Sequence, residues 1–259
     1  MFSFRKLLSE IGETLQFSVR VFETAFYTPC SLEDVADQTW KVTIQSLPTT
    51  ILAGFFVGAI MTVQFTMQIK AFGALGYLGG LATSATIREI GPLLIAFLLS
   101  GKIGAFTSAE LGTMQVTEQI DAIRCLGANP IQEIIVPRYF GILISSFFLL
   151  TAGMFASIFG GAIMGYFFAG INLEEYYRHI PTMVNWFSIG SGLFKCVVFA
   201  LVLAAICTYK GYSTTGGAKG VGRAVVMTAV TTMLSIVVAD WFTSFLSDAF
   251  LQLYLGDRL

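Results

Sequence analysis

Four ionisable residues, Arg88, Glu89, Lys195 and Asp240, stand inside otherwise apolar stretches of the chain. On insertion scales a charge at the centre of a membrane helix costs about 2.5–3.5 kcal/mol, so such residues usually face a cavity or a partner. A cation in that setting attracts the phosphate of a lipid head group, because charge-assisted hydrogen bonds to phosphate are strong. Arg88 and Glu89 are adjacent, and neighbours on a regular helix point about 100° apart. They therefore need not pair with each other, and one of them is placed to meet Lys195. Internal pairing that only fixes helix packing, and a proton relay, are the other readings of the same residues.

Competing chemistry is thin. The single histidine, His179, lies beside Arg178, and no Ser/His/Asp or metal-ligating constellation can be assembled around it. The pattern G-x-x-x-x-G-K-[ST], which cradles nucleotide phosphates and supplies a hydroxyl to Mg²⁺, is absent. Gly101-Lys102 is followed by Ile103, and Thr215-Gly-Gly-Ala-Lys219-Gly-Val-Gly-Arg223 reads as a flexible loop. The chain thus carries no nucleotide-hydrolysing apparatus of its own. Cys30, Cys125, Cys196 and Cys207 form no C-x-x-C pair; they read as small packing residues rather than a disulfide or zinc framework.

The elements that must position the ionisable residues are membrane helices. Of 259 residues, 55% are hydrophobic and only 12% charged, whereas soluble domains carry about 25% charged residues. A net charge of −1 gives no reason to expect a nucleic-acid partner. A bilayer crossing needs about 20 apolar residues. Five stretches qualify: Val42–Ile69, Leu81–Phe106, the run after Arg138 that is uncharged to Glu174, Asn185–Tyr209, and Arg223–Phe245. Ala71–Gly80, rich in glycine, reads as a turn or half-helix; a sixth crossing there is the alternative.

Ahead of these, Phe4, Leu7, Leu8, Ile11, Leu15, Val19, Phe22 and Phe26 recur at three- and four-residue steps, with charged residues on other faces. This is an amphipathic helix lying in the membrane interface, ended by Thr28-Pro29; a soluble helix packed on a partner is the alternative. The charged Leu-Leu-Ser-Glu segment after Met1-Phe-Ser-Phe-Arg-Lys argues against a cleaved signal peptide. The organisation expected is an interfacial helix and connector over residues 1–40 and a transmembrane domain over 41–259. The basic loop Lys210–Arg223 places that loop, the Lys102–Arg138 loop and the N-terminus in the cytoplasm.

Within Glu110–Pro137, Val116, Ile120, Ile123 and Gly127 lie along one helical stripe, with Glu110, Glu118, Asp121 and Arg124 elsewhere. Gly127-Ala-Asn129-Pro130 is a helix stop. A short amphipathic helix between two crossings suits a groove on an ATPase, or equally the bilayer surface. On the first reading Ile120→Asp costs docking more than folding. Gly54/Gly58, Gly76/Gly80 and Gly161/Gly165 allow close helix approach in lipid.

Several motifs occur together and in order: Arg88-Glu-Ile-Gly-Pro92, Ala109-Glu110-Leu-Gly-Thr-Met114, Thr117-Glu-Gln-Ile-Asp-Ala122, Asn129-Pro130, Pro137-Arg138, Gly211-Tyr212 and Gly216-Gly-Ala-Lys-Gly-Val-Gly-Arg223. Over roughly residues 40–250 the chain resembles the MlaE family of permeases, which partner with MCE-domain proteins. That resemblance implies an all-α integral membrane fold: an N-terminal interfacial helix, five transmembrane helices and a cytoplasmic coupling helix. It implies a homodimer in the bacterial inner membrane, working with a cytoplasmic ABC ATPase that holds the ATP and Mg²⁺. A small STAS-domain protein and a periplasmic MCE-domain ring are further implied partners, and the cargo is phospholipid carried between inner and outer membranes.

The resemblance also assigns residues. Glu89 matches the family's intramembrane glutamate beside the lipid cavity, Arg88 its basic neighbour and Lys195 a basic residue of the fourth span. Glu110–Ala128, with Glu110, Val116, Glu118, Ile120, Asp121 and Ile123, matches the region that docks on the ATPase. Met61, Ile69 and Phe72 look like residues lining the lipid tails, although Gln68-Ile-Lys70 is more polar than expected there. An ion-coupled transporter and a membrane anchor for a periplasmic partner are the rival functions; the first would be supported by inverted repeats, and no related halves are evident.

Overall fold

The computed structural model describes residues 4–27 and 31–256, and the side chains among them from residue 9 to 253. Thr28, Pro29 and Cys30 lie outside the described residues, as do the side chains of Phe4, Leu7 and Leu8. Every regular element described is helical: α1 (Phe4–Tyr27), α2 (Leu32–Phe72), α3 (Leu75–Val116), α4 (Gln119–Cys125), α5 (Ile131–Ala169), α6 (Leu173–Arg178), α7 (Ile180–Met183), α8 (Trp186–Tyr212) and α9 (Gly217–Gly256). Five of them, α2, α3, α5, α8 and α9, are long and apolar enough to cross a membrane.

Ala71–Gly80 does not cross. It forms two tight turns, Lys70–Phe72 and Leu75–Tyr77, before α3 continues from Leu78. Gly73 sits at φ 65° between the turns, a left-handed conformation that glycine adopts without a Cβ clash. The helices overrun the crossings read from hydropathy: α3 reaches Val116, and α9 passes Phe245 to Gly256. Hydropathy marks the solvent boundary of a helix, whereas backbone hydrogen bonding continues past it.

The chain divides into two compact units. The first comprises Met1–Gln45, Leu99–Ser146 and Ala200–Ser235. In it, α1 has two apolar faces. Phe17 and Val21 are buried, with Phe17 against Tyr209 and Tyr212 and Phe22 edge-on to Tyr139 and Phe140. Ile11, Leu15, Val19 and Phe26 remain exposed. The helix is therefore both docked on its own chain and free to present a greasy stripe.

The second unit comprises Ser46–Leu98, Phe147–Phe199 and Ile236–Leu259. Here α2 and α5 meet backbone to backbone. A Cβ on Gly54 would lie 2.2 Å from the Gly153 carbonyl oxygen, and one on Gly58 1.7 Å from that of Ser157. Small residues buy the close approach on which lipid-embedded helices depend. Gly161 and Gly165 instead make room for Tyr176, whose hydroxyl lies 3.3 Å from that of Thr62. Burial pushes the Tyr176 phenol above its ordinary pKa, with the hydrogen bond to Thr62 acting against that.

Four wide helical turns occur among the described residues, two in α3 and two in α5, and two of the four run into a proline. Over Thr86–Ile90 the Gly91 N–H reaches back five residues to Thr86, and over Ile131–Ile135 the Val136 N–H reaches Ile131. A proline, Pro92 or Pro137, follows each. Proline has no N–H and its ring clashes with the carbonyl four residues back. The widened turn relieves that clash and re-aims the side chains on it, a device frequent at functional sites.

Candidate functional site

The wide turn of α3 carries Arg88 and Glu89, and α8 and α9 supply their partners within the second unit. Lys195, on α8, is fully buried. Its Nζ donates to Glu89 Oε2 at 2.6 Å, Asp240 Oδ1 at 2.8 Å and Ser244 Oγ at 2.7 Å. An ammonium has three donors, and here each has a recipient. The Ser244 hydroxyl lies 3.1 Å from Glu89 Oε2 and 2.8 Å from the Asp240 carbonyl. Arg88 turns away from Glu89 and pairs with Asp248 at 2.8 Å. Two cations and three carboxylates leave the group at a formal charge of −1.

The α9 residues fall at positions 240, 244 and 248, one residue per turn along a single helix face. On α8, Ser191 sits one turn before Lys195 and donates to Ser247 at 3.0 Å. The two helices thus meet along a polar seam. Charge within an apolar run marks Asp240 but does not mark Ser244 or Asp248. The four-residue steps from Asp240 to Ser244 to Asp248 are the signal in the sequence that points to them.

Exposure differs sharply within the cluster. Lys195 is 0% exposed, the Asp240 side chain 16% and the Glu89 side chain 44%. Glu89 therefore has a protected end on Lys195 and an open side. That side forms the wall of an open pocket of about 660 Å³, lined by Phe65, Leu81, Ser84, Ala85, Arg88, Glu89, Thr182 and Met183. Only Arg88 and Glu89 among these carry charge. A second pocket of about 280 Å³, between Phe55, Ile60 and Val63 of α2 and Gly160, Ile163 and Met164 of α5, is apolar apart from Gln64.

The three residues expected along the lipid tails differ in exposure. Ile69 is buried in a cluster with Leu78 and Ile171, so it is a packing residue. Phe72 points outward, 84% exposed, and Met61 is half-buried on α2. None of the three lines either pocket.

The expected coupling stripe is also corrected, in the first unit. Val116 ends α3; the chain then breaks at Thr117 and Glu118, and α4 begins afresh at Gln119. Glu118 takes φ 60°, the one positive φ of a non-glycine residue among those described. Val116 and Ile120 thus belong to different helices and share no stripe. Ile120 is fully buried in its own chain, so Ile120→Asp strikes folding first. From Thr117 to Leu126 the exposed residues are Thr117, Glu118, Gln119, Ala122, Arg124, Cys125 and Leu126. Ile123 is half-buried, and Asp121 pairs with Arg124 at 2.8 Å. Glu110 lies within α3, paired with Arg138 at 3.2 Å and Lys41 at 3.9 Å. The stop does form: Gly127 adopts φ 82° and the Asn129 side chain accepts from the Ile131 N–H.

Comparison with known proteins agrees with this architecture. The family model described as Permease MlaE matches residues 35–246. The chain is 32% identical over 202 residues to the "Probable ABC transporter permease protein slr1045" of Synechocystis, covering 78% of this chain and 77% of that one. It is 29% identical over 199 residues to the "Intermembrane phospholipid transport system permease protein MlaE" of Haemophilus influenzae, covering 76% of each. It is 32% identical over 213 residues to the chloroplastic protein TRIGALACTOSYLDIACYLGLYCEROL 1 of Arabidopsis thaliana, covering 79% of this chain and 61% of that one.

Proposed function

This chain belongs to the MlaE permease family, and from that premise we propose that it moves phospholipid between the inner and outer bacterial membranes, sustaining outer-membrane lipid asymmetry. It does so as the homodimeric, multi-pass inner-membrane subunit of an ABC transporter. A separate cytoplasmic ATPase binds ATP and Mg²⁺ and does the hydrolysis; a STAS-domain protein and a periplasmic MCE-domain protein complete the assembly. The N-terminus and α4 face the cytoplasm.

The observation that carries the reading is the amphipathic pocket beside Glu89. Its lining carries charge only at Arg88 and Glu89, Ser84 and Thr182 are its other polar residues, and the rest is apolar, which suits acyl chains along one side and a head group at the other. The Arg88 guanidinium offers planar donors to a phosphate, in exchange with Asp248. Glu89, anchored on Lys195, keeps the pocket's charge in a fixed place. Arg88 and Asp248 are 30% and 59% exposed on spanning helices. Such a pair is costly against acyl chains, and a second copy enclosing a shared cavity would cover it.

A proton relay through Lys195, Glu89 and Asp240 is the rival, because these groups touch. The test is purification from native membrane with identification of bound proteins and lipids. Co-elution of an ABC ATPase and phospholipid is expected. Transport in liposomes driven by a pH gradient, with no ATPase present, would establish the rival instead.

A further inference from the structure

In the first unit, α1 and α4 touch the same side chain. The ring of Tyr212, the last residue of α8, packs on Phe17 of α1 at 5.4 Å between centroids. Its hydroxyl accepts from Arg124 Nη2 of α4 at 2.6 Å. The same end of α8 is pinned to α1 twice more, by Lys210 on Glu10 at 2.9 Å and by the Tyr209 hydroxyl on Glu13. It is also pressed against α3, where a Cβ on Gly211 would lie 2.7 Å from the Leu111 Cβ. Lacking room to slide on α3, the α8 terminus is a fixed post with α1 on one side and α4 on the other.

We propose that Tyr212 is a positioning residue through which the seating of the interfacial helix sets the orientation of α4. α4 is short, seven residues, and below the length at which a helix holds itself together in water. Before it stands the left-handed Glu118 and after it Gly127, which also has positive φ. Its order depends on its buried residue, Ile120, and on the Arg124–Tyr212 bond. With the α8 backbone fixed, displacing α1 leaves the Tyr212 ring free to turn about its own side-chain bonds, and the hydroxyl that Arg124 holds turns with it. The exposed Ile11, Leu15, Val19 and Phe26 on α1 give a membrane surface the purchase to do this. That such movement reaches ATP hydrolysis rests on the reading of α4 as the ATPase contact.

Hydrogen exchange of the α4 amides, in the intact chain in lipid nanodiscs, tests the relay without any ATPase. Y212F removes the acceptor and keeps the ring; it should raise exchange across residues 119–125 about fivefold, the usual worth of one side-chain hydrogen bond. Phe17→Leu, which never touches α4, should raise exchange there as well, and Phe17→Leu added to Y212F should give no further rise. An unchanged α4 in Phe17→Leu, or effects of the two changes that simply multiply, would overturn the relay. Should Phe17→Leu fold poorly, Glu10→Gln loosens the same docking from outside the core and carries the same expectation. Capture of the wild-type chain with no ATPase would instead sink the functional reading, leaving the exchange result to decide the relay.

Discussion

The two compact units differ in their best-protected charge. In the second, Lys195 is wholly buried and every donor has a partner on Glu89, Asp240 or Ser244. In the first, the ion pairs lie partly open: Glu110 with Arg138 and Lys41, Asp121 with Arg124, Glu10 with Lys210. A buried set is costly to break, because a lost partner leaves a charge out of water, whereas exposed pairs contribute little. The second unit is built to hold a charge still beside a pocket. The first ties its short elements with pairs that cost little to break.

Lys195→Met is the harshest way to break that contrast. It leaves Glu89 and Asp240 facing each other without their cation. Breaking a buried pair costs about 3–5 kcal/mol, and the half-exposure of Glu89 puts this one near the lower end. Thermal unfolding in detergent should show the loss, and ATP-driven lipid transfer should fall with it. Adding Glu89→Gln and Asp240→Asn should restore most of the stability and none of the transfer. Next in size is Ile120→Asp, which puts a carboxylate into a fully buried site of the first unit, at a cost of about 2–5 kcal/mol. Leu126→Asp, 85% exposed one residue after α4, should leave unfolding unchanged and weaken capture of the ATPase. Equal effects of the two on folding would erase the distinction between buried and contacting residues of this segment.

Much of this was legible in the sequence, for identifiable reasons. The five crossings follow from uninterrupted apolar length, and Arg88, Glu89, Lys195 and Asp240 announce themselves because charge inside such length is rare. The pairing of Lys195 with Glu89 was open to expectation; the turning of Arg88 towards Asp248 was not. A wide turn over Thr86–Ile90 replaces the regular 100° step from which the directions of Arg88 and Glu89 were read. The coupling stripe failed for a similar reason. A helical wheel through Val116 and Ile120 assumes one helix, and the break falls on a glutamate, a residue type that gives no sign of left-handed backbone. The resemblance alone suggests Ile69 as a tail-lining residue, and only the folded chain shows that it is buried against Leu78 and Ile171.

Smaller changes sharpen the contrast further. Glu110→Gln weakens the pair with Arg138, and with Glu110 33% exposed the cost should be about 1 kcal/mol or less. Its effect on unfolding should shrink in high salt, while that of Lys195→Met should not. Smallest of all, Glu118→Gly removes the left-handed penalty of a side chain and should stabilise the first unit by about 0.5–1 kcal/mol. Destabilisation there would mean that Glu118 makes a contact worth more than its strain.

The central claim is that a fixed carboxylate and its arginine neighbour receive a lipid head group beside an apolar wall. Native mass spectrometry of the purified assembly, comparing wild type with Glu89→Lys, reads this most directly. Phospholipid should be retained by the wild type and lost from the variant, with the ATPase still attached to both. Equal lipid on the two, or none on the wild type, would contradict that claim.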